Sequence, residues 1–188
     1  GGNRSPREVW QWPSSTLRIA ASLSHLNFPK MLWKRTASGG GTVEPYVSQS
    51  ATLSNLDWSF SVFATAVDVD VVRLNNPTAS ASAYFDVSSC RAETSSGTIF
   101  TWAESMRNGW CRVGMSFSGV SGANEIRMGS SEDDTAPSFV SGPGDVFTLF
   151  WGAQLEQDVR STSPIDTTTA SVTRTKDQFV YATGGSTA

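Results

Sequence analysis

The stretch DVFTLFWGAQLEQ, residues 145–157, decides the fold, because it is the longest unbroken run of strand-forming residues in the chain. Read with the two-residue period of a β-strand, one side is wholly apolar and the other mixes an aromatic ring with hydroxyl, amide and carboxylate groups. Such a strand is typical of the centre of an antiparallel sheet that has a core on one side and solvent or a ligand on the other. The predicted core side holds Phe147, Leu149, Trp151, Ala153 and Leu155, and the predicted outward side holds Val146, Thr148, Phe150, Gly152, Gln154 and Glu156.

From Tyr46 onward, shorter runs with the same alternation follow one another between turn signals. The pair Asn108-Gly109 predicts a tight turn between strands at 98–104 and 110–117, because these residues tolerate positive φ. About nine or ten short strands and no convincing helix indicate an all-β fold, a two-sheet antiparallel β-sandwich. The inward residues predicted for these runs are Phe60, Val62, Ala64, Val72, Leu74, Phe85, Val87, Cys111, Val113, Met115 and Phe117.

The remaining segments are less regular, and they set the expected domain limits. Residues 1–14 are predicted to form an irregular arm, 15–182 the sandwich domain and 183–188 a flexible tail. Because the chain has neither a signal peptide nor an initiating Met, we expect it to be a piece of a longer protein. Further strands are predicted at 16–20, 31–33, 47–52, 125–129 and 172–181, and an acidic loop rich in Pro and Gly at 130–144.

Composition narrows the class of protein. The 188 residues suit one domain with a good core, and only 16% of them are charged, as in many all-β extracellular or virion modules. A net charge of -3 gives no electrostatic reason to expect nucleic acid or an anionic membrane as a partner. No apolar run approaches the roughly 20 residues that a membrane-spanning helix needs. Partners of these two kinds are therefore not expected.

The two cysteines allow one disulfide and no CxxC metal site. Cys90 follows one predicted strand and Cys111 lies within another, so pairing is geometrically feasible. Two free, partly buried thiols are the alternative, and the sequence leaves both open.

Four motifs carry a resemblance to a known family: GWCR at 109–112, WGAQLE at 151–156, TSPI at 162–165 and VTRTKD at 172–177. In order and spacing they resemble a domain of bacteriophage tail, tail-fibre and head-fibre proteins with the motifs GWYR, WGAQLE, TSYIPT and TRxxD. The segments YVSQS (46–50), SFSVFAT (59–65) and AYFDV (83–87) also look like its earlier strands. The resemblance covers roughly residues 16–177. Cys111 replaces the usual Tyr, and Pro164 and Asp166 depart from TSYIPT, so the loop before the last strand could differ.

The resemblance implies a jelly roll of the concanavalin or carbohydrate-binding-module type, located in the virion. It implies a non-catalytic module that contacts cell-surface or capsular polysaccharide and other virion proteins. Because phage fibres are usually trimeric, a homotrimer is also expected.

The candidate glycan site is the outward set of these strands, which we expect to share one sheet face. Aromatic planes cover the C–H faces of sugars, while amide, carboxylate and guanidinium groups make planar hydrogen bonds to hydroxyl pairs. A structural role is the alternative: Arg112 could pair with Glu156, and Trp110 could cap the edge of the core. The candidate residues are Phe63, Arg73, Tyr84, Asp86, Trp110, Arg112, Phe150 and Gln154, with Glu156 on the same predicted face.

Catalysis and metal binding have weaker support. A glycoside hydrolase needs two carboxylates about 5–10 Å apart, and Asp86 and Glu156 are the only predicted outward pair. His25 is the only histidine, which argues against a Ser-His-Asp triad or a histidine-rich metal site. Asp133 and Asp134 are weak candidates for a structural calcium site, although an acidic run is more often simply solvated. No other cofactor is expected.

These observations together predict a non-catalytic glycan-binding module of a phage tail or fibre. The alternatives are a purely structural or oligomerisation module of a virion fibre, and an accessory module of a polysaccharide-degrading enzyme.

Overall fold

Two antiparallel β-sheets pack face to face as a sandwich in the computed structural model of the chain. The structure describes the backbone of residues 7–11, 31–34, 41–43, 46–135, 139–141, 146–162 and 172–174, and the side chains of 46–135 and 148–162. Within these ranges the regular structure is almost entirely β, so the predicted all-β, two-sheet sandwich is confirmed.

Fourteen strands and one 3₁₀ turn make up the described regular structure. In chain order they are β1 (Arg7–Gln11), β2 (Met31–Lys34), β3 (Gly41–Val43), β4 (Tyr46–Leu53), β5 (Asp57–Ala66), β6 (Val71–Asn76), β7 (Ala81–Asp86), β8 (Arg91–Ser96), β9 (Phe100–Ser105), the 3₁₀ turn Arg107–Gly109, β10 (Cys111–Ser118), β11 (Gly122–Ser131), β12 (Phe139–Ser141), β13 (Val146–Glu156) and β14 (Val172–Arg174).

The strands divide between a seven-stranded and a five-stranded sheet. The first has the order β14-β1-β13-β5-β10-β9, with β2 also paired to β13, and the second has the order β4-β11-β6-β7-β8. β3 and β12 form a separate two-stranded ribbon. As predicted, the 98–117 hairpin turns at Asn108-Gly109, where φ is 62° and 75°. The stretch 145–157 is a central strand, since β13 pairs with β5 on one side and with β1 and β2 on the other.

The core lies between the inner faces of the two sheets, and period-two alternation correctly predicted the inward residues of the runs from 58 to 117. All eleven inward residues predicted for the runs from 58 to 117 are buried in one continuous cluster: Phe60, Val62, Ala64, Val72, Leu74, Phe85, Val87, Cys111, Val113, Met115 and Phe117. Burial of an aliphatic or aromatic side chain of this size contributes about 1.5–3 kcal/mol, so this cluster is the main source of stability.

A β-bulge in β13 overturns the alternation predicted for the opening stretch. The register to β5 shifts between Trp151 and Gln154, and Gly152 adopts φ 62° at the shift. One extra residue on a bulged strand moves every later side chain to the opposite face. Ala153 and Leu155 after the bulge face the core as predicted, so the residues before the bulge have the opposite alternation to the predicted one. Phe150, predicted outward, lies in the core at 2% exposure.

The other predictions for β13 divide at the bulge. Leu149 and Trp151, predicted inward, are partly exposed on the outer side, so that prediction is wrong. Ala153 and Leu155 are buried in the core as predicted. Thr148, predicted outward, is fully buried and shares the inner side with Phe150. Phe147 lies outside the described side chains.

Several segments differ from the predicted boundaries. Arg7–Gln11, predicted as irregular, forms β1 and pairs with the end of β13. The sequence did not predict β8, because RAETSS is polar and lies at the edge of its sheet. The strand predicted at 31–33 is β2, and the closing strand is described at Val172–Arg174. The strand predicted at 16–20 lies outside the described residues.

The two cysteines form a disulfide with a Cα–Cα distance of 5.4 Å. Cys90 belongs to the turn between β7 and β8 of the five-stranded sheet, and Cys111 begins β10 of the seven-stranded sheet. The bond therefore links the two layers of the sandwich.

Candidate functional site

The predicted site residues do not share one face, because they divide between the two sheets. Phe63, Arg112 and Gln154 lie on β5, β10 and β13, and Trp110 directly precedes β10. Arg73, Tyr84 and Asp86 belong to β6 and β7 of the other sheet. The outer sides of the two sheets point in opposite directions, so the expected single glycan face is wrong. Alternation tells which residues face outward, but it cannot tell which of two sheets holds a strand.

The outer side of the seven-stranded sheet is an ordered array across β9, β10, β5 and β13. Strand register places its residues in three rows, and in the first two rows the middle positions are serine or glycine. We call this surface the β9–β13 face. Its rows are Phe100–Ser116–Ser59–Glu156, Trp102–Gly114–Ser61–Gln154 and Glu104–Arg112–Phe63–Trp151.

Glu156 and Arg112 both bind Thr162, and Gln154 binds Glu156, in an arrangement we call the Thr162 clasp. The Glu156 carboxyl accepts hydrogen bonds from Gln154 Nε2 (2.5 Å), Thr162 N (2.8 Å) and Thr162 Oγ1 (2.8 Å). Arg112 Nη2 donates to Thr162 O (2.6 Å) and to Ser61 Oγ (3.2 Å). Burial lowers the pKa of Arg112, and the charges of Glu156 and Glu104 oppose that effect. The clasp fixes the segment that follows β13 onto the sheet.

The three side chains of the clasp are buried, which argues against their predicted role in binding glycan. Glu156 and Gln154 are fully buried and Arg112 nearly so. The hydrogen bonds that they make hold the chain itself, which favours the structural interpretation of the GWCR, WGAQLE and TSPI motifs. Instead of an isolated Arg112–Glu156 pair, both side chains bind the same threonine.

Phe63 and Trp110 also contribute little open surface. Phe63 is 5% exposed; its ring centroid lies 4.8 Å from that of Trp151, and the Arg112 guanidinium carbon lies 5.4 Å from the Phe63 ring centroid. Trp110 is partly buried beside the 3₁₀ turn, where its carbonyl accepts a hydrogen bond from Met106 N (2.8 Å). A tilted aromatic contact and a cation–π contact therefore pack this corner of the face.

On the opposite sheet, Tyr84 and Arg73 contact each other. The Arg73 guanidinium carbon lies 5.6 Å from the centroid of the Tyr84 ring, and Tyr84 is 8% exposed. A ring this deeply covered offers little area for stacking on a sugar.

Asp86 organises the turn that leads to Cys90. Its Oδ1 accepts hydrogen bonds from Ser88 N (2.9 Å), Ser88 Oγ (2.7 Å) and Ser89 N (3.1 Å), and its Oδ2 accepts one from Ser89 Oγ (2.6 Å). Burial raises the pKa of Asp86, but the hydrogen bonds from Ser89 and Ser88 outweigh it and lower the pKa to about 2. Side-chain capping of this kind is a common role of Asp in turns.

The calcium candidates make local hydrogen bonds. Asp133 Oδ1 accepts from Thr135 N (2.7 Å) and Thr135 Oγ1 (2.8 Å), while Asp134 Oδ2 accepts from Thr94 Oγ1 (2.7 Å). In the part of the chain that the structure describes, no three His, Cys, Asp or Glu side chains gather as a metal site would require. Structural calcium stays a prediction.

The sequence reasoning missed an aromatic pair on the outer side of β9, of which Phe100 is exposed and Trp102 is partly buried. The rings of Phe100 and Trp102 are near-parallel (14°) with centroids 6.0 Å apart, and Phe100 is 43% exposed. The Trp102 ring lies directly over Gly114, since a Cβ there would be 2.0 Å from Trp102 Cζ2. The Arg160 guanidinium carbon lies 5.2 Å from the Phe100 ring centroid. We call Phe100 and Trp102 the β9 aromatic strip.

A sequence signal for the strip exists. Phe100 and Trp102 are two positions apart in a predicted strand, which puts both on one side. Nothing in the sequence shows that Gly114 lies beneath Trp102, because that depends on the register of β9 against β10.

No protein-family model matches the chain, and no curated protein sequence matches it either. The resemblance to phage tail and fibre domains therefore stays a prediction. None of the helical structure in the described ranges is long and apolar enough to cross a membrane.

Proposed function

We propose that this chain is a non-catalytic carbohydrate-binding module of a virion tail or fibre, and that it contacts polysaccharide through the β9 aromatic strip. The observation that carries the proposal is the near-parallel Phe100–Trp102 pair, in which the Phe100 ring is exposed and the partly buried Trp102 ring lies over Gly114. We propose the strip in place of the glycan-binding residues predicted from the sequence, because most of those lie in the clasp, the core or the turn at Asp86.

The strip suits sugar binding for physical reasons. An aromatic ring gains free energy when it covers the apolar C–H face of a pyranose, and it gains more when it needs no rearrangement before binding. Gly114 leaves room for the Trp102 ring close to the sheet, so the ring is already placed. Glu104 at one end and Arg160 at the other are exposed polar groups that could bind sugar hydroxyls.

The carboxylates of this face fit binding better than hydrolysis. Glu156 is fully buried and accepts three hydrogen bonds from Gln154 and Thr162. Glu104 is then the one exposed carboxylate in the three described rows. Glycoside hydrolysis needs a pair, so the proposal assigns no reaction to this face.

A glycan array followed by calorimetric titration of the hits tests the proposal. We expect saturable binding by the wild type and a loss of about tenfold or more in affinity for Phe100→Ala, because one stacking surface is removed. Tyr46→Ala is the matched control: Tyr46 is a 37% exposed aromatic with Arg127 4.4 Å from its ring centroid, but it lies on β4 of the other sheet. Equal loss in both variants, or no wild-type binding, would refute the proposal.

A structural role in fibre assembly is the second candidate, and β4 favours it. This eight-residue strand has no charged residue and no bulge in its register with β11, and within the described residues it is an edge of its sheet. Such an edge can pair with a strand of another chain. If β4 mediates assembly, Ser50→Lys on its exposed side should reduce the mass measured by light scattering, whereas Ser96→Lys, at an exposed position of the opposite edge strand β8, should not.

A further inference from the structure

Arg160 follows β13 and lies beside the β9–β13 face, where it indicates which class of sugar the face would bind. Its guanidinium lies against Phe100, and the side chain is exposed. The described residues place no carboxylate within salt-bridge distance of it. Asp158 is the acidic neighbour in sequence, and its Oδ1 accepts the backbone N–H of Arg160 (3.3 Å). Arg160 therefore presents an exposed positive charge beside an aromatic surface.

We propose that the β9 aromatic strip selects acidic polysaccharides, with Arg160 binding the carboxylate of a uronic or sialic acid unit. The inference rests on the proposed function and adds the class of ligand to it. A guanidinium suits this role because its planar N–H groups make two parallel hydrogen bonds to one carboxylate. The sugar ring carrying that carboxylate would stack on the exposed part of the Phe100 ring, beside the guanidinium.

The strip also sets the direction of the bound chain. Phe100 and Trp102 are alternate residues of β9, with ring centroids 6.0 Å apart, and Glu104 continues the same line. Two consecutive sugar units can therefore lie along β9, one on each ring. The Arg160 end attracts a carboxylate, whereas Glu104 at the other end repels one, so the acidic unit belongs over Phe100 and a neutral unit over Trp102.

The net charge of the protein makes Arg160 the main source of attraction for an acidic polymer. A chain with net charge -3 does not attract a polyanion by its long-range field, so binding would depend on Arg160 itself. Exposed ion pairs are individually weak and are screened by salt. We therefore expect moderate affinity, supplied mainly by stacking, and a discrimination between acidic and neutral polymers that falls as salt rises.

The test compares acidic polymers with their neutral counterparts. Hyaluronan, polygalacturonate and polysialic acid, each beside its carboxyl-reduced form, are titrated against the wild type, Arg160→Gln, Arg160→Lys and Phe100→Ala at low and high salt. We expect at least one acidic polymer to bind better than its reduced form. We expect Arg160→Gln to remove about fivefold of that affinity at low salt while leaving the reduced form within twofold. Arg160→Lys should keep part of the difference.

The outcomes separate this inference from the function on which it rests. Equal binding of acidic and reduced polymers, or an acidic preference that survives Arg160→Gln, would overturn the acidic selection; if Phe100→Ala still abolished binding, the proposed function would stand. Wild-type protein that binds none of these polymers would overturn the acidic selection, and an array without any hit would overturn both. Arg160 is exposed, so its variants are expected to fold, and circular dichroism checks this.

Discussion

Glu156 and Asp86 are predicted from the sequence to face outward as possible ligand contacts, and each instead accepts hydrogen bonds from neighbouring residues of the chain. Glu156 is buried among Gln154 and Thr162, and Asp86 accepts hydrogen bonds from Ser88 and Ser89. A polar group that is satisfied internally stabilises the fold, and its removal leaves donors without acceptors. At the residue scale, side-chain identity alone does not separate a ligand contact from an internal one.

Glu156→Gln should destabilise the protein by about 1–3 kcal/mol. The substituted amide turns one oxygen acceptor into a donor, which then faces a donor of Gln154 or Thr162. Urea unfolding followed by tryptophan fluorescence measures the change. Glu104→Gln, at an exposed position of the same face, is the control and should change stability by less than about 0.5 kcal/mol. Equal effects of the two substitutions would contradict the role given to the clasp.

Asp86→Asn should lower stability at neutral pH and have no effect in strong acid. The folded-state pKa of Asp86, about 2, lies below its ordinary value of 3.8. The stabilising contribution is therefore complete above about pH 4, and it is lost as the pH falls from about 4 to 2. Because the side chain is largely solvated, we expect about 1 kcal/mol. Urea unfolding of both proteins between pH 7 and pH 2 measures the difference, and a pH-independent difference would contradict the expectation.

At the scale of single elements, the bulge in β13 decides which face each residue of the longest strand occupies. Before Gly152 the core receives Phe150, and after it Ala153 and Leu155. A regular strand would have placed Gln154 and Glu156 on the same side as Phe150. The bulge therefore puts aromatic bulk into the core and the polar clasp on the outer side of the same strand.

Gly152→Ala should cost about 1–2 kcal/mol from its positive φ alone, and more from contact. A Cβ at Gly152 would lie 3.1 Å from Cδ2 of Phe63, which is itself packed by Trp151. Gly109→Ala is the matched control, since its φ of 75° is close to the 62° of Gly152 but the nearest atom, Thr65 Oγ1, is 4.0 Å away. Thermal and urea unfolding should rank Gly152→Ala as the more destabilised, and the reverse order would argue against the packing of the bulge on Phe63.

At the scale of the whole molecule, the core and one covalent bond join the two sheets. Cys90 and Cys111 are 21 positions apart in sequence and belong to different layers. A disulfide lowers the conformational entropy of the unfolded chain, and it persists in oxidising surroundings such as the outside of a cell or virion. The bond is thus compatible with the proposed virion role.

Reduction of the Cys90–Cys111 bond should lower the free energy of unfolding by about 3 kcal/mol, as expected for a closed loop of this length. Urea unfolding with and without a phosphine reductant measures the loss. The double variant Cys90→Ala/Cys111→Ala serves as the control, since reductant should leave its midpoint unchanged. An unchanged wild-type midpoint after complete reduction, verified by thiol titration, would show that the bond adds no stability.

Much of the fold was predictable from local pattern. Strand periodicity identified the inward residues from Phe60 to Phe117, and Asn108-Gly109 marked a hairpin, because both signals depend on neighbours in sequence. The sandwich class followed from many short strands without a helix. The polar edge strand β8 was not predicted, because it buries little side-chain area and its sequence therefore shows only weak apolar–polar alternation.

The arrangement of the candidate site residues depended on contacts between distant segments, and for that reason the sequence alone did not predict it. Whether Tyr84 and Arg112 share a face is set by which sheet each strand joins, and the position of Phe150 by one bulge at Gly152. Packing between distant segments likewise fixed three other features: the hydrogen-bond partners of Glu156, the position of Trp102 over Gly114 and the disulfide between the two cysteines. The sequence by itself determined which residues avoid water, since that preference is local. Tertiary structure decided which of them meet, because pairing joins residues that are far apart along the chain.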